Sequence, residues 1–333
     1  AAGGVVNTVT KSGNNQFHGS AFYYLRDNKW GARNAFSFQS VATPTGTQIV
    51  GLKPKDQRHQ FGGSISGPIA KDKLFFFFSY DQQKRDFPGV AAPSSVTFFQ
   101  SANIATLTTR GVTTAQINAG IAFLQSLTGV VPRRGDQTLY LPKIDWVISE
   151  KHRFSAVYNR MRWKSPAGVQ TQAVVTRGIA SFGDDLVSLD TFNARLNSNL
   201  SPNTLNEFRF QWSRDLEQQV AQPGAPGEPT TANGFSPQVA IGGGGFTFGK
   251  PNFLDRQAYP DEKRIQFANT VTMIRGKHTF KFGGDFNHVS DLLDNLFQNA
   301  GAYSYSNLTD FLTDFAIPAQ RRFTSFAQNF GPS

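Results

Sequence analysis

Cysteine is absent from all 333 residues, which excludes disulfide staples, thiol catalysis and thiolate-held metals. Methionine occurs only twice and the Leu-Ala-Glu-Lys runs that favour helices are scarce, so a mainly helical chain is excluded as well. No apolar stretch approaches the roughly 20 residues that a membrane helix needs; the longest runs from Leu74 to Phe78. Such a chain can still cross a membrane as β-strands, each needing about 9 to 11 residues of alternating character. The front also lacks an initiator methionine and a charged-then-apolar leader, and no closing strand precedes Phe330-Gly331-Pro332-Ser333, so the sequence reads as an internal fragment.

What is present points to β-structure. The chain holds 32 Phe and 31 Gly, and β-formers, turn formers and aromatics dominate. A net charge of +10, from 33 basic and 23 acidic residues, permits contact with polyanions or anionic surfaces without requiring it.

Residues 3–10, Gly-Gly-Val-Val-Asn-Thr-Val-Thr, read as a buried strand, Lys11 to Asn15 as a turn, and Gln16 to Arg26 as a second strand with Phe17, Ala21, Tyr23 and Leu25 on one face. Further strands come in pairs with short links: Gln57–Gly67 with Lys73–Gln83, Thr138–Ile148 with Arg153–Met161, Leu186–Asn197 with Thr204–Arg214, and Arg264–Ile274 with Thr279–Val289. Between pairs the connections are long and rich in Pro and Gly. One of them carries the only convincing helix, Thr114 to Leu127, with Ile117, Ile121, Leu124 and Leu127 near helical spacing. Alternation of short and long links is what an antiparallel membrane barrel produces, because successive connections lie on opposite sides of the bilayer. A soluble β-sandwich is the alternative, although its connections sort less regularly by length.

Strand faces fit both. Phe208, Phe210 and Trp212 alternate with Glu207, Arg209, Gln211 and Ser213, and Phe280, Phe282 and Phe286 alternate with Lys281, Asp285 and Asn287. In a barrel the aromatic set faces lipid and the polar set, Glu207, Arg209, Gln211, Lys281 and Asp285, faces the lumen. Two strands keep this period poorly: Leu186 to Asn197 breaks step near Asp190, and Phe75 to Phe78 is apolar on both faces.

The segment Gly3-Gly4-Val5-Val6-Asn7-Thr8-Val9-Thr10-Lys11-Ser12-Gly13 resembles the last plug strand of TonB-dependent outer-membrane receptors. Asn15 to Phe22, Arg33 to Phe36, Gln60 to Ile69 and Lys71 to Phe77 are similar to the start of the barrel in the Oar-like branch, and Asn307 to Leu312 resembles a segment further along it. The resemblance implies an all-β fold: a partial transmembrane antiparallel β-barrel of about ten of 22 strands, with a plug-strand remnant and long extracellular loops. Residues 1–15 would end the plug and 16–333 would form the N-terminal part of the barrel, with Gly3, Gly4, Asn7, Thr10, Lys11, Ser12 and Gly13 at the junction. It further implies a bacterial outer-membrane location and uptake of an extracellular ligand (siderophore, glycan or peptide). The expected partners are the inner-membrane TonB complex and outer-membrane lipid, with no cofactor, no catalysis and no nucleic acid. The competing reading is a secreted or surface β-sandwich adhesin or glycan-binding protein, and an extracellular hydrolase stands third.

No enzyme site survives inspection. His278 and His288 lie ten residues apart on one strand, some 33 Å at about 3.3 Å per residue, and cannot share an ion. Asp184-Asp185, Asp81, Asp86 and Asp261-Glu262 lack the spacing of a calcium loop. Gly242 to Gly245 with Gly249-Lys250 lacks the Ser or Thr of a phosphate loop, because Pro251 follows, and reads as a flexible loop. Gly63-Ser64-Ile65-Ser66-Gly67 is no nucleophile elbow. The basic and aromatic clusters, Arg153, Arg160, Arg162, Trp163 and Lys164, then Arg321, Arg322 and Phe323, suit a membrane-interface girdle better than a nucleic-acid grip.

Overall fold

Period-two patterning and short polar links dictate antiparallel pairing, and nine strands pair that way in the computed structural model, which describes residues 9–43, 46–232 and 234–331. They are β1 (His18–Asp27), β2 (Gln57–Ala70), β3 (Leu74–Asp86), β4 (Arg134–Val147), β5 (His152–Ser165), β6 (Asp184–Ser201), β7 (Thr204–Val220), β8 (Arg256–Arg275) and β9 (His278–Asn295). Each hydrogen-bonds only to its neighbours in sequence, in the order β1 to β9. The strands expected from Gln16 onward form, and most run several residues further at the end that bears the long connections.

The expected partial transmembrane barrel is corrected by this topology. Closure needs the last strand to bond to the first. Eight consecutive antiparallel pairings instead leave β1 and β9 as opposite edges of an open sheet among the described residues. The strand expected over 3–10 lies outside the described residues except for Val9 and Thr10, which are in no strand. What stands is a mostly antiparallel β-sheet fold.

The long connections and the segment after β9 are not separate loops. They carry small sheets, Val174–Val175 with Gly89–Ala91 and Gly129–Val131, and Phe246–Phe248 with Gln238–Ile241, Ala302–Tyr305 and Ser325–Ala327. They also carry the helices α1 (Ile104–Thr109), α2 (Thr114–Ser126) and α3 (Leu308–Ala316). Phe98, Leu107, Ile117, Leu124 and Leu127 from the β3–β4 connection pack with Ile241, Phe246 and Phe248 from the β7–β8 connection and with Leu308, Phe311 and Leu312 from the segment after β9. The buried core therefore sits in a lobe at the long-connection end, not under the sheet.

Local chemistry explains the helices. Thr113 caps α2 in a reciprocal box with Gln116, whose backbone N–H donates to Thr113 Oγ1 at 3.3 Å. Asn307 caps α3, its Oδ1 accepting from Asp310 N at 2.9 Å. Asn307 to Leu312 is thus a helix start. Leu308, Phe311, Leu312 and Phe315 recur at helical spacing, and Leu308, Phe311 and Leu312 are buried. The glycine run, expected as a flexible loop, is the tip of a hairpin between Gln238–Ile241 and Phe246–Phe248. Gly242, Gly243 and Gly244 take φ of 66, 63 and 92°, a left-handed succession open to glycine.

Candidate functional site: the polar face and the segment laid across it

The register sorts side chains into two faces. Cross-strand partners share a face, so one row reads Phe76, Ile144, Ala156, Ala194, Phe210, Phe267 and Phe286, with Phe78, Pro142, Phe192, Trp212 and Ile265 beside it. Phe208, Phe280 and Phe282 belong to the same face. Phe208, Trp212, Phe280, Phe282 and Phe286 are 36–61% exposed, so no second sheet buries them. That is the feature a sandwich would need.

The opposite face is polar and carries Glu207, Arg209, Gln211, Lys281 and Asp285. Three of these are drawn into one network. Glu207 pairs with Arg209 at 3.4 Å and Arg195 at 3.9 Å, and Gln211 and Arg209 line a cavity of about 460 Å³ with Thr10, Lys143, Arg195 and Gln266. Asp285 accepts from Gln266 Nε2 at 2.9 and 2.8 Å, at the edge of the same region. Lys281 stands apart on the edge strand and makes no ion pair among the described residues.

Across this face runs the N-terminal segment. Lys143 of β4 is 9% exposed, and its Nζ donates to Ser12 Oγ at 2.8 Å and Lys11 O at 3.3 Å, reaching Thr10 O at 3.5 Å. Asp145, two residues along on the same face, balances the charge at 3.5 Å. Gly13 lies against the backbone of β2 and β3, so close that a Cβ there would stand 2.5 Å from Phe76 O and 2.8 Å from Gly67 O. Asn15 then ties the chain to the β2–β3 turn, donating to Asp72 Oδ1 at 2.6 Å and accepting from Asp72 N at 2.9 Å. Thr10, Lys11, Ser12 and Gly13 are therefore brought together on the polar face, whereas Gly3, Gly4 and Asn7 lie outside the described residues. The segment also meets Phe75, which accounts for one of the apolar residues on the polar side of β3.

Lys143 and Arg195 escaped the sequence reading. The signal was there: Lys143 and Asp145 alternate with Ile144 and Trp146, marking two charges on one strand face.

Other candidates hold the fold. Asp184 accepts from Ala167 N, Asp185 from Trp163 Nε1, Asp81 from Gln60, and Asp86, Asp261 and Glu262 pair with Arg134, Arg214 and Arg264. Among the described residues no group of three His, Cys, Asp or Glu side chains is placed to hold a metal. The basic cluster divides between faces, Arg160, Arg162 and Lys164 with the aromatics and Arg153 and Trp163 opposite. Arg322 belongs to the lobe, its backbone N–H donating to the Asp314 carboxylate.

Residues 9–97 and 82–331 match the family described as outer membrane beta barrel domain. The chain belongs to that family. A member of that family resides in the bacterial outer membrane. Over 80 residues the domain is 38% identical to the TonB-dependent transporter Oar of Myxococcus xanthus, an overlap that covers 24% of this chain and 7% of the transporter. Among solved structures, the CymD monoaromatic hydrocarbon channel is similar over 83% of this chain and 76% of its own, at 11% identity and a TM-score of 0.28. A score that low adds nothing about the fold.

Proposed function

We propose that this domain belongs to a TonB-dependent receptor of the Oar-like kind, which takes up an extracellular ligand across the outer membrane under the pull of the inner-membrane TonB complex. The aromatic face meets lipid, the polar face lines the path of the ligand, and residues 9–13 are the tail of a plug lying in that path. The observation that carries this reading is the grip of Lys143 on Ser12 and Lys11. A buried ammonium that spends its donors on a segment outside the sheet holds that segment by a few hydrogen bonds, each of net worth about 1 to 3 kcal/mol. Such a hold is firm at rest and open to mechanical release. The short overlap with the Oar transporter supports the same reading from sequence.

The test uses the full-length protein in its own bacterium, offered radiolabelled iron chelates, oligosaccharides and peptides as separate pools. Uptake of one pool lost on deleting either this protein or the TonB complex supports the proposal. Uptake that needs this protein and survives loss of the complex would make it a passive channel. Uptake of every pool unchanged by deletion of the protein would sink the receptor reading.

A further inference from the structure

Burying a guanidinium is costly unless acceptors or a carboxylate answer its charge. Arg133 meets that condition by donating to three backbone carbonyls. Arg177, in the β5–β6 connection, does not. Its backbone is fixed in the lobe by a rung on the Phe246–Phe248 strand, Thr247 N donating to Thr176 O at 3.0 Å and Gly178 N to Thr247 O at 2.8 Å. From there the half-buried side chain lies against the Phe253 ring, 5.6 Å from its centroid, and makes one hydrogen bond, Nη1 donating to Gln238 Oε1 at 3.2 Å. Its other donors have no acceptor among the described residues, and burial alone acts on its pKa, lowering it. Asp255, two residues beyond Phe253, is already held by Lys250 Nζ at 2.9 Å and Ala221 N at 2.6 Å. Gln238 is 8% exposed, and its Oε1 also accepts from Asn252 N at 3.0 Å, which leaves its amide nitrogen without an acceptor among the described residues. Arg256 lies on the same ring at 5.0 Å, its Nη1 donating to Gln219 Oε1 and its Nε buried with no acceptor. Around Phe253, donors are in surplus and acceptors are missing.

We infer that the lobe holds a binding site for a carboxylate-bearing ligand, with Arg177 and the Gln238 amide donating to the carboxylate oxygens beside the Phe253 ring. Charge and shape choose the class. Glu217 is near enough to act on Arg256, so Arg177 is the cation left uncompensated. A single carboxylate neutralises it, whereas a phosphate monoester, with a charge of about −1.5 to −2 at pH 7, over-compensates it. The planar fork of a guanidinium also donates to both oxygens of a carboxylate side by side. Occupancy removes the cost of the bare cation, and it requires neither membrane contact nor a pulling partner.

The full-length protein in nanodiscs, in a carboxylate-free buffer, is titrated with para-fluorobenzoate, its neutral isostere para-fluorobenzamide, and para-fluorophenyl phosphate. Each is followed by its own fluorine NMR signal, with empty nanodiscs as the blank. The wild type is expected to bind the benzoate more tightly than either of the others. Arg177→Gln should weaken the benzoate by roughly tenfold or more, as loss of hydrogen bonds from a charged donor does, and leave the benzamide unchanged. Arg177→Lys, which keeps the charge without the fork, should fall between. Equal affinity of the wild type for benzoate and benzamide would overturn the site, and that comparison does not depend on any variant folding. Benzoate binding untouched by Arg177→Gln, in protein whose heat-modifiable migration is normal, would overturn it as well, and tighter binding of the phosphate would overturn the carboxylate class. None of these results bears on the uptake test, which turns on the TonB complex.

Discussion

Arg133 shows how single side chains hold the long connections together. It is 3% exposed, lies face-on to Phe87 at 4.5 Å, and donates to the carbonyls of Phe87, Gln170 and Gln172, so that it staples the β3–β4 connection to the β5–β6 connection. Burial, with the neighbouring Arg85, pulls its pKa down to about 10, which still leaves it charged at neutral pH. Arg133→Ala orphans those carbonyls, and a loss of about 2 kcal/mol is expected, read as faster proteolysis within residues 87–133 and 166–183. Arg133→Lys should fall between. Glu228 is the opposite case, 8% exposed with no well-placed donor on either carboxylate oxygen. Burial raises its pKa, and the Ser236 hydroxyl and the backbone at Ala225 and Gly249 offset only part of that. A raised value in the fold means the folded state binds the proton more tightly, so the associated stability is present below the ordinary value of 4.5 and is lost as pH rises through the folded value. Glu228→Gln should therefore stabilise the lobe at neutral pH, by about 1 kcal/mol. That gain should shrink on acidification, and a gain independent of pH in thermal unfolding of the lobe would refute the linkage. Tyr305 is pushed up as well, by burial and by the Asp314 carboxylate that its hydroxyl meets at 3.2 Å.

At the scale of the element, the two faces of β7 make the sharpest contrast. Phe210 packs between Phe192 and Phe267, with centroids 6.1 and 5.1 Å away, whereas Gln211 looks into the polar cavity. If the aromatic face meets lipid, Phe210→Arg costs about 2 to 4 kcal/mol, and Gln211→Arg, one position along, costs well under 1. Recovery of heat-modifiable protein from outer membranes separates them; equal losses would contradict the assignment of faces. This much was legible in the sequence, because a strand face depends only on parity. The break near Asp190 was legible too but lacked its cause. Asp190 falls on the aromatic face because Tyr158 and Arg162 meet it there, at the border where lipid contact would end. Helix α3 was missed although Asn307 and the Leu308, Phe311, Leu312 spacing announce it, since nine residues hold little more than two helical turns in which to show the period. The lobe core was illegible for a different reason. Its parts come from residues 98–127, 239–248 and 308–312, and no local pattern says that two distant connections and the segment after β9 bury one another's aromatics.

For the whole molecule, the decisive coupling is between an open sheet and the segment laid over its polar face. Docking depends on two features from opposite partners: glycine at 13, where a side chain would meet Phe76 O at 2.5 Å, and Lys143, which holds Ser12 at 2.8 Å. Gly13→Val lifts the segment by steric conflict with backbone atoms that cannot rotate away, and Lys143→Met releases it by removing donors while keeping apolar bulk. If both act through one docking event, the second substitution has little left to undo, and their effects fall well short of additive. A nitroxide on cysteine at Thr10 in the full-length protein reports this directly. Each single variant should sharpen its spectrum to a mobile form, and the double variant should resemble either single one. Additive mobilities would mean that Gly13 and Lys143 support separate structures. Mobility unchanged by Lys143→Met would mean that shape alone seats the segment, leaving no hydrogen-bonded hold for a pulling partner to break.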